Sequence, residues 1–465
     1  MIFSSILFLF IYLPLTLAAY YIVPLKWRNA VLFAVSLIFY GWGEPVYIIL
    51  MLASITLNYA AGLLVDKYRD SARRARLILG VTAALNLAGL FFFKYYDFFA
   101  ENLSRIPGIS IPALGLDLPI GISFYTFQAM SYPIDVYRRD GNVQKNYVAF
   151  GAFVTLFPQL IAGPIIRYKD VDNQLKSRSH SWEKFSRGAS RFTVGLCKKV
   201  LLANGIGRLW DSVAASELSE ISVMSALLGV VAFSFQIYFD FSGYSDMAIG
   251  LGRMLGFEFP ENFNYPYMAK SITEFWRRWH ISLSVWFRDY VYIPLGGNRC
   301  SRFKNFRNIF IVWALTGFWH GASWNYLVWG VYFALLLILE KALLSKPLSR
   351  TPAFVRYAYT LVLVAISWCI FAIEDTSRLL GYLSLMFGFS GAAFADTAFL
   401  HDLKSYGLLL IVLCVASTPL IKNLYGRIPD RIRAWTTPAL MLCGLALSTA
   451  YLVDSTYNPF LYFRF

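Results

Sequence analysis

FWRRWHISLSVWFRDYVYIPLGGNR, residues 275–299, is followed at 318–321 by FWHG. Together they hold His280 and His320, two of only four histidines in 465 residues. Imidazole has the side-chain pKa nearest neutrality, so it is the usual candidate for proton transfer. Both histidines sit in apolar, Trp-rich surroundings, where an ionisable group is costly and reads as functional. The structural alternative for each is a buried imidazole bonded to a backbone carbonyl. Ser271 and Glu274 match the S-x-x-E capping box, which predicts a helix start. On that helix Trp276, Trp279, His280, Leu283 and Phe287 share one face, with Arg277, Arg278 and Arg288 toward others. PLGGN at 294–298 closes the segment with a turn. The second histidine ends a run that begins at Asn308. Thirteen residues make roughly 20 Å of helix, too short for the ~30 Å of bilayer hydrocarbon. With Gly321 as its stop, such a helix starting at the cytoplasmic face places His320 well inside the membrane.

The rest of the chain sets that block in lipid. Hydrophobic residues make up 58% and charged residues 15%, with mean hydropathy +0.53, against ~45–50% and ~25% for soluble domains. The reading is an all-α polytopic membrane protein of about eleven transmembrane helices, with short and re-entrant helices around a central tunnel. No hydrophilic stretch is long enough to fold alone, so residues 1–465 read as one integral domain. The net charge of +15 reads as basic cytoplasmic loops that set topology, not as a nucleic-acid surface. Cys197, Cys300, Cys369, Cys414 and Cys443 are scattered without metal-ligand spacing. They read as small buried hydrophobes, with no zinc site and no disulfide framework. Residues 1–23 lack the basic start and small-residue cleavage site of a signal peptide, and read as the first span.

Apolar runs occur at about 2–24, 29–43, 46–65, 78–94 and 119–136, then at 222–255, 324–339, 357–373, 405–421 and 437–453. Lys26, Arg28, Lys67, Arg69, Arg73, Arg74 and Arg76 fall on one side, which the charge rule makes cytoplasmic, with the N-terminus outside. The run 147–166 is interrupted by Pro158, Gly163 and Pro164. It reads as re-entrant or kinked, since broken backbone at membrane depth needs protein or a cavity to cover it. Residues 181–199 alternate aromatic and basic side chains at helical spacing, Lys198 and Lys199 among the latter, as in a helix lying on membrane lipids at the cytoplasmic interface. FDFSGYSD at 239–246 puts Asp240 and Asp246 in an apolar segment, where carboxylates face a cavity or a partner. Neighbouring helices are as good a partner as substrate.

Five blocks carry a resemblance: FPQLIAGPIIRY at 157–168, FDFSGYSDMAIGLGRMLGF at 239–257, the 275–299 block, FWHGASWNYLVWG at 318–330 and the terminal NPFLYFRF. The chain resembles the membrane-bound O-acyltransferase family, in the bacterial branch that includes alginate O-acetyltransferases. The resemblance implies that His320 is the intramembrane catalytic histidine and His280 the second histidine of the site. Trp279, Trp319, Asp240, Asp246 and Gln159 are candidates for the substrate path. It implies transfer of an acyl group, acetyl above all, from acetyl-CoA or another acyl thioester, with no bound cofactor and no metal. The acceptor would be an exported cell-surface polysaccharide of the alginate kind, reached through an extracytoplasmic acetyltransferase or carrier protein. The setting would be the bacterial cytoplasmic membrane. In chemical terms a hydroxyl becomes a useful nucleophile once a base takes its proton, and His320 is that base or a transient acyl carrier. Peptidoglycan O-acetylation and D-alanyl transfer to teichoic acid stay open as alternatives. Buried Asp240 and Asp246 beside two histidines would also suit a proton-coupled transporter or flippase.

Overall fold

The computed structural model describes residues 1–454, 457–459 and 461. The described chain is 74% helix and contains no strand, as expected where the backbone must satisfy its own hydrogen bonds in lipid. Among the described residues seven helices are long and apolar enough to cross a membrane: Ile48–Lys67, Ala72–Lys94, Val223–Met254, Trp324–Arg350, Ala353–Ala372, Thr397–Ala416 and Asp430–Asp454. The sequence reading expected about eleven. Several of the further runs form shorter helices, such as Phe8–Ile22, Arg28–Gly41 and Ile122–Arg138. Cys414 and Cys443 lie exposed on apolar helices rather than buried.

Two compact units divide the chain. The first comprises Met1–Phe192 and Tyr244–Pro260. In it, Ile48–Lys67 packs on Ala72–Lys94 and Ile122–Arg138. Asn58 and Asn86 exchange side-chain hydrogen bonds of 2.9 and 3.1 Å between the first two, and such polar contacts hold membrane helices together by roughly 0.6 kcal/mol each. The interruption expected near Pro158 is there. Asn146 caps Tyr147–Thr155, and the chain turns at Leu156 into the single turn Phe157–Leu160. Side chains take up polar groups at the break. The Phe153 carbonyl accepts from Gln128 Nε2 and Gln159 Nε2, at 2.9 and 2.7 Å, and the Phe157 amide donates to Ser36 Oγ. Gln159 is therefore an anchor of this break. Asp246 is also tied, accepting from Arg191 Nε and Nη2 at 3.0 and 2.7 Å.

The second unit comprises Thr193–Gly243 and Glu261–Phe465. Trp182–Cys197 does carry a polar, partly exposed first half, but the helix runs on through a π-helical turn, Lys198–Ala203, into Asn204–Ala215. The placement of Lys199 on a solvated face is corrected by its burial. Its side chain is 1% exposed and pairs with Asp240, 4% exposed, at 2.7 Å. Lys199 also donates to Asn204 Oδ1 and the Pro459 carbonyl, and Asp240 accepts from the Leu461 amide. The helix ending in His320 is longer than expected. It spans Arg302–His320, 19 residues capped by Ser301, or roughly 28 Å. Helix-compatible Arg302, Lys304 and Arg307 extend it beyond the apolar stretch, so length alone no longer sets the depth of His320. This helix packs closely on the one beginning at Trp324 because Gly317 meets Gly330. A Cβ on Gly317 would lie 2.3 Å from the Tyr326 carbonyl, and one on Gly330 2.4 Å from that of Trp313.

Candidate active site

The 275–299 block is not one helix. Ser271 Oγ caps Ile272–Trp276, accepting from the Glu274 amide, and this five-residue helix then stops. Glu340 supplies a second cap from another helix, taking the Ile272 amide at 2.6 Å, the Thr273 amide at 2.9 Å and the Thr273 hydroxyl at 2.6 Å. His280 itself has φ 44° and ψ 52°, the left-handed region, and a new helix, Ile281–Phe287, begins after it. The single amphipathic face read from the sequence is thereby broken at the residue of interest. A non-glycine residue costs about 1–2 kcal/mol in this conformation, so the surroundings must hold it there.

Asn262 does so. Its backbone carbonyl accepts from the Ile281 amide at 3.0 Å. Its side-chain oxygen accepts from the Ser282 amide at 3.2 Å and the Ser282 hydroxyl at 2.9 Å, and lies 3.2 Å from His280 Nδ1. His280 is 1% exposed. Its Nε2 has no hydrogen-bond partner among the described residues, and its ring meets Phe241 edge-on at 4.7 Å. A buried polar atom left so costs about 1–3 kcal/mol.

Trp319 joins the two imidazoles. Its ring centroid is 6.2 Å from that of His280 and 5.1 Å from that of His320. Trp329 at 5.0 Å and Phe371 at 5.4 Å close two further sides of the His320 ring. Asn325 fixes Phe371 by donating to its carbonyl at 3.0 Å. Trp279 packs on Trp368 at 4.9 Å, and Trp368 reaches Phe371 at 5.9 Å. The second unit thus brings together His280, His320, Trp279 and Trp319. Asp240 belongs to this unit too, but its carboxylate goes to Lys199, and it is the adjacent Phe241 that touches His280. Asp246 and Gln159 belong to the first unit and make the contacts described above.

Two cavities of the second unit are lined by neighbours of this cluster, Trp276 and Thr316 in one and Phe371 in the other. One, of about 690 Å³, is lined by Lys270, Arg277, Arg288, Lys341 and Arg356 and by the apolar faces of Trp276 and Trp313. Its two carboxylates are already engaged. Glu340 caps the short helix, and Glu274 takes the Lys270 amide and the Arg278 guanidinium. Burial raises the Glu274 carboxyl, but those donors more than reverse it, leaving it below its ordinary range and ionised. Arg277 and Arg356 make no ion pair among the described residues, so the cavity keeps uncompensated positive charge. Thr316, one turn before His320, is part of its wall. The other cavity, of about 440 Å³, is lined by Tyr326, Phe371, Asp211, Glu374, Asp375 and Arg378 among others. The Ala353–Ala372 helix connects the two, with Arg356 in the first and Phe371 in the second, roughly 22 Å apart at 1.5 Å per residue. Among the described residues no group of three His, Cys, Asp or Glu is placed to hold a metal ion.

Residues 140–384 match MBOAT, the membrane-bound O-acyltransferase family. The chain belongs to that family. Among its relatives, the probable alginate O-acetylase AlgI of Azotobacter vinelandii is 39% identical, with both chains covered completely. The protein of the same name from Pseudomonas putida is 41% identical over the whole of both chains. The peptidoglycan O-acetyltransferase of Helicobacter pylori is 31% identical over all of this chain and 98% of its own. The chain is thus a multi-pass membrane O-acyltransferase, and family membership decides for acyl transfer over the transporter reading. Sequence reasoning missed Asn262, Trp329, Phe371 and Glu340. Asn262 sits in a polar loop, ENFNYP, whose composition marks only a turn, and Glu340 ends an apolar span where a lone carboxylate reads as a boundary charge.

Proposed function

We propose that this acyltransferase, acting as one integral-membrane domain of the bacterial cytoplasmic membrane, moves an acetyl group from a cytoplasmic thioester donor across the bilayer for O-acetylation of an exported polysaccharide of the alginate kind. What supports the reading is a cationic cavity with Thr316, one turn before His320, in its wall, and an acidic cavity with Phe371, a ring neighbour of His320, in its wall. The 690 Å³ cavity suits a donor such as acetyl-CoA, with phosphates against Arg277 and Arg356 and the thioester toward Trp276 and Thr316. His320 takes the proton of the acceptor hydroxyl as its oxygen attacks the thioester carbonyl carbon. The carbon–sulfur bond breaks, and the thiolate leaves as a thiol when that proton is returned. His280 supplies the second imidazole of the site. Basic Lys67, Arg69, Arg73 and Arg74 beside the Ile48–Lys67 helix favour a cytoplasmic position for that end and an outer N-terminus.

The second cavity bears on the acceptor. Asp211, Glu374 and Asp375 line it, and its one arginine, Arg378, is directed to the carbonyls of Ala214 and Ser216. A polyuronate chain is itself anionic and would be repelled there. An extracytoplasmic carrier or acetyltransferase that takes the acetyl group onward fits better. The identities favour an alginate-like acceptor over peptidoglycan, the second reading, which the Helicobacter relative supports.

Vesicles loaded with labelled acetyl thioester, with polymer outside, test the proposal. Label is expected on external alginate, in preference to peptidoglycan, only when the partner from the same pathway is present. Full-rate acylation by this chain alone would remove the partner. No outward label with the partner present would end the transmembrane reading.

A further inference from the structure

We infer that Asn262 is a positioning residue that fixes His280 as its Nδ1-protonated tautomer, so that Nε2 carries a bare lone pair inside the site. The inference rests on the reading of His280 as part of the acyl-transfer site and adds which nitrogen does the work and what sets it. The Ser282 amide can only donate, and it points at the Asn262 side chain at 3.2 Å, so the atom it meets is the amide oxygen and the orientation of that amide is settled. An amide oxygen can only accept. His280 Nδ1, 3.2 Å from the same oxygen, must therefore bear the hydrogen of that bond. A neutral imidazole has one N–H, so its other nitrogen, Nε2, is an acceptor. Nε2 is buried and has no partner among the described residues, in a ring that meets Phe241 and Trp319.

Asn262 performs this task with unusual redundancy. Its backbone carbonyl takes the first amide of the Ile281–Phe287 helix and its side chain takes the second. It is thus the external cap of the helix that follows His280, a role His280 does not fill with its own side chain. One 1%-exposed residue therefore sets both the backbone turn and the proton location of the imidazole. Nε2 in this state can accept a proton or a hydrogen bond from a substrate group and cannot donate one. His280 is then a second acceptor site beside His320, ruling out a role as resting-state general acid.

With four histidines in the chain, 15N-histidine labelling of the purified full-length protein resolves the question, the His280 signal being assigned by its loss in His280→Asn. The expected signature is protonated Nδ1 and unprotonated Nε2. Asn262→Ala should mix the tautomers and lower kcat roughly 10–100-fold with little change in donor KM, by analogy with groups that orient other functional imidazoles. Asn262→Asp, whose carboxylate also only accepts, should restore the Nδ1–H signature. An Nε2–H tautomer in the wild-type protein overturns the inference, whatever its activity. So does an unchanged signature in Asn262→Ala. Should Asn262→Ala not fold, the wild-type and Asn262→Asp spectra decide alone. The spectra need no acceptor, so a wrong polysaccharide would leave this result standing, and a wrong tautomer would leave acyl transfer standing.

Discussion

His320→Ala is expected to lower acyl transfer by roughly 10²–10⁴-fold, the usual worth of a positioned general base, in a protein that still inserts and folds. The imidazole is held by ring contacts with Trp319, Trp329 and Phe371, each worth about 0.5–1.5 kcal/mol. Its removal leaves a cavity, so a stability control is needed. His320→Gln provides it, keeping polar atoms and most of the volume but no titratable nitrogen, and should be as inactive as alanine. Thiol release from an acetyl thioester donor measures the first effect, and thermal unfolding in detergent the second. His180→Ala and His401→Ala should stay near wild type. His180 accepts or donates one bond with Tyr20 at 2.9 Å, and His401 is exposed. Wild-type turnover in a folded His320→Gln protein would remove His320 from the chemistry. Greater sensitivity at His401 would move the site.

Lys199→Met should be the most destabilising change outside the site. It strands the Asp240 carboxylate, 4% exposed, without the ammonium 2.7 Å away. Breaking one side of a buried pair costs roughly 3–5 kcal/mol, whereas replacing both with apolar residues is often neutral. The double variant Lys199→Met, Asp240→Leu should therefore recover most of the lost thermal stability, although the Leu461 amide would still lack its acceptor. The comparison also decides what Asp240 is for. A structural pair gives a double variant that is stable and active. A stable double variant without activity would return Asp240 to the substrate path.

The parts of this protein legible in its sequence were those where composition and a local rule agree. Apolar length located the long spans, Pro158 located a break, and Ser271 and Glu274 located a helix start. What failed depended on distant partners. Lys199 looked like one more basic residue on an amphipathic helix, because its carboxylate lies 41 positions away at Asp240. The continuous face through Trp276, Trp279, His280 and Leu283 followed from helical spacing, but the break at His280 is imposed by Asn262, 18 positions upstream. The length of the His320 helix was underestimated because hydropathy marks where lipid begins, while Ser301 marks where the helix begins. The two histidines stood out as candidates because they are rare, and their ring contacts did not, since any of 13 tryptophans and 40 phenylalanines could have supplied them.

The left-handed backbone at His280 has an evolutionary corollary. Glycine would sit at φ 44° without strain, and asparagine with little, so histidine here carries a standing conformational cost. Selection for thermal robustness alone would favour those residues at position 280. If His280 serves acyl transfer as proposed, histidine at this position trades stability for turnover.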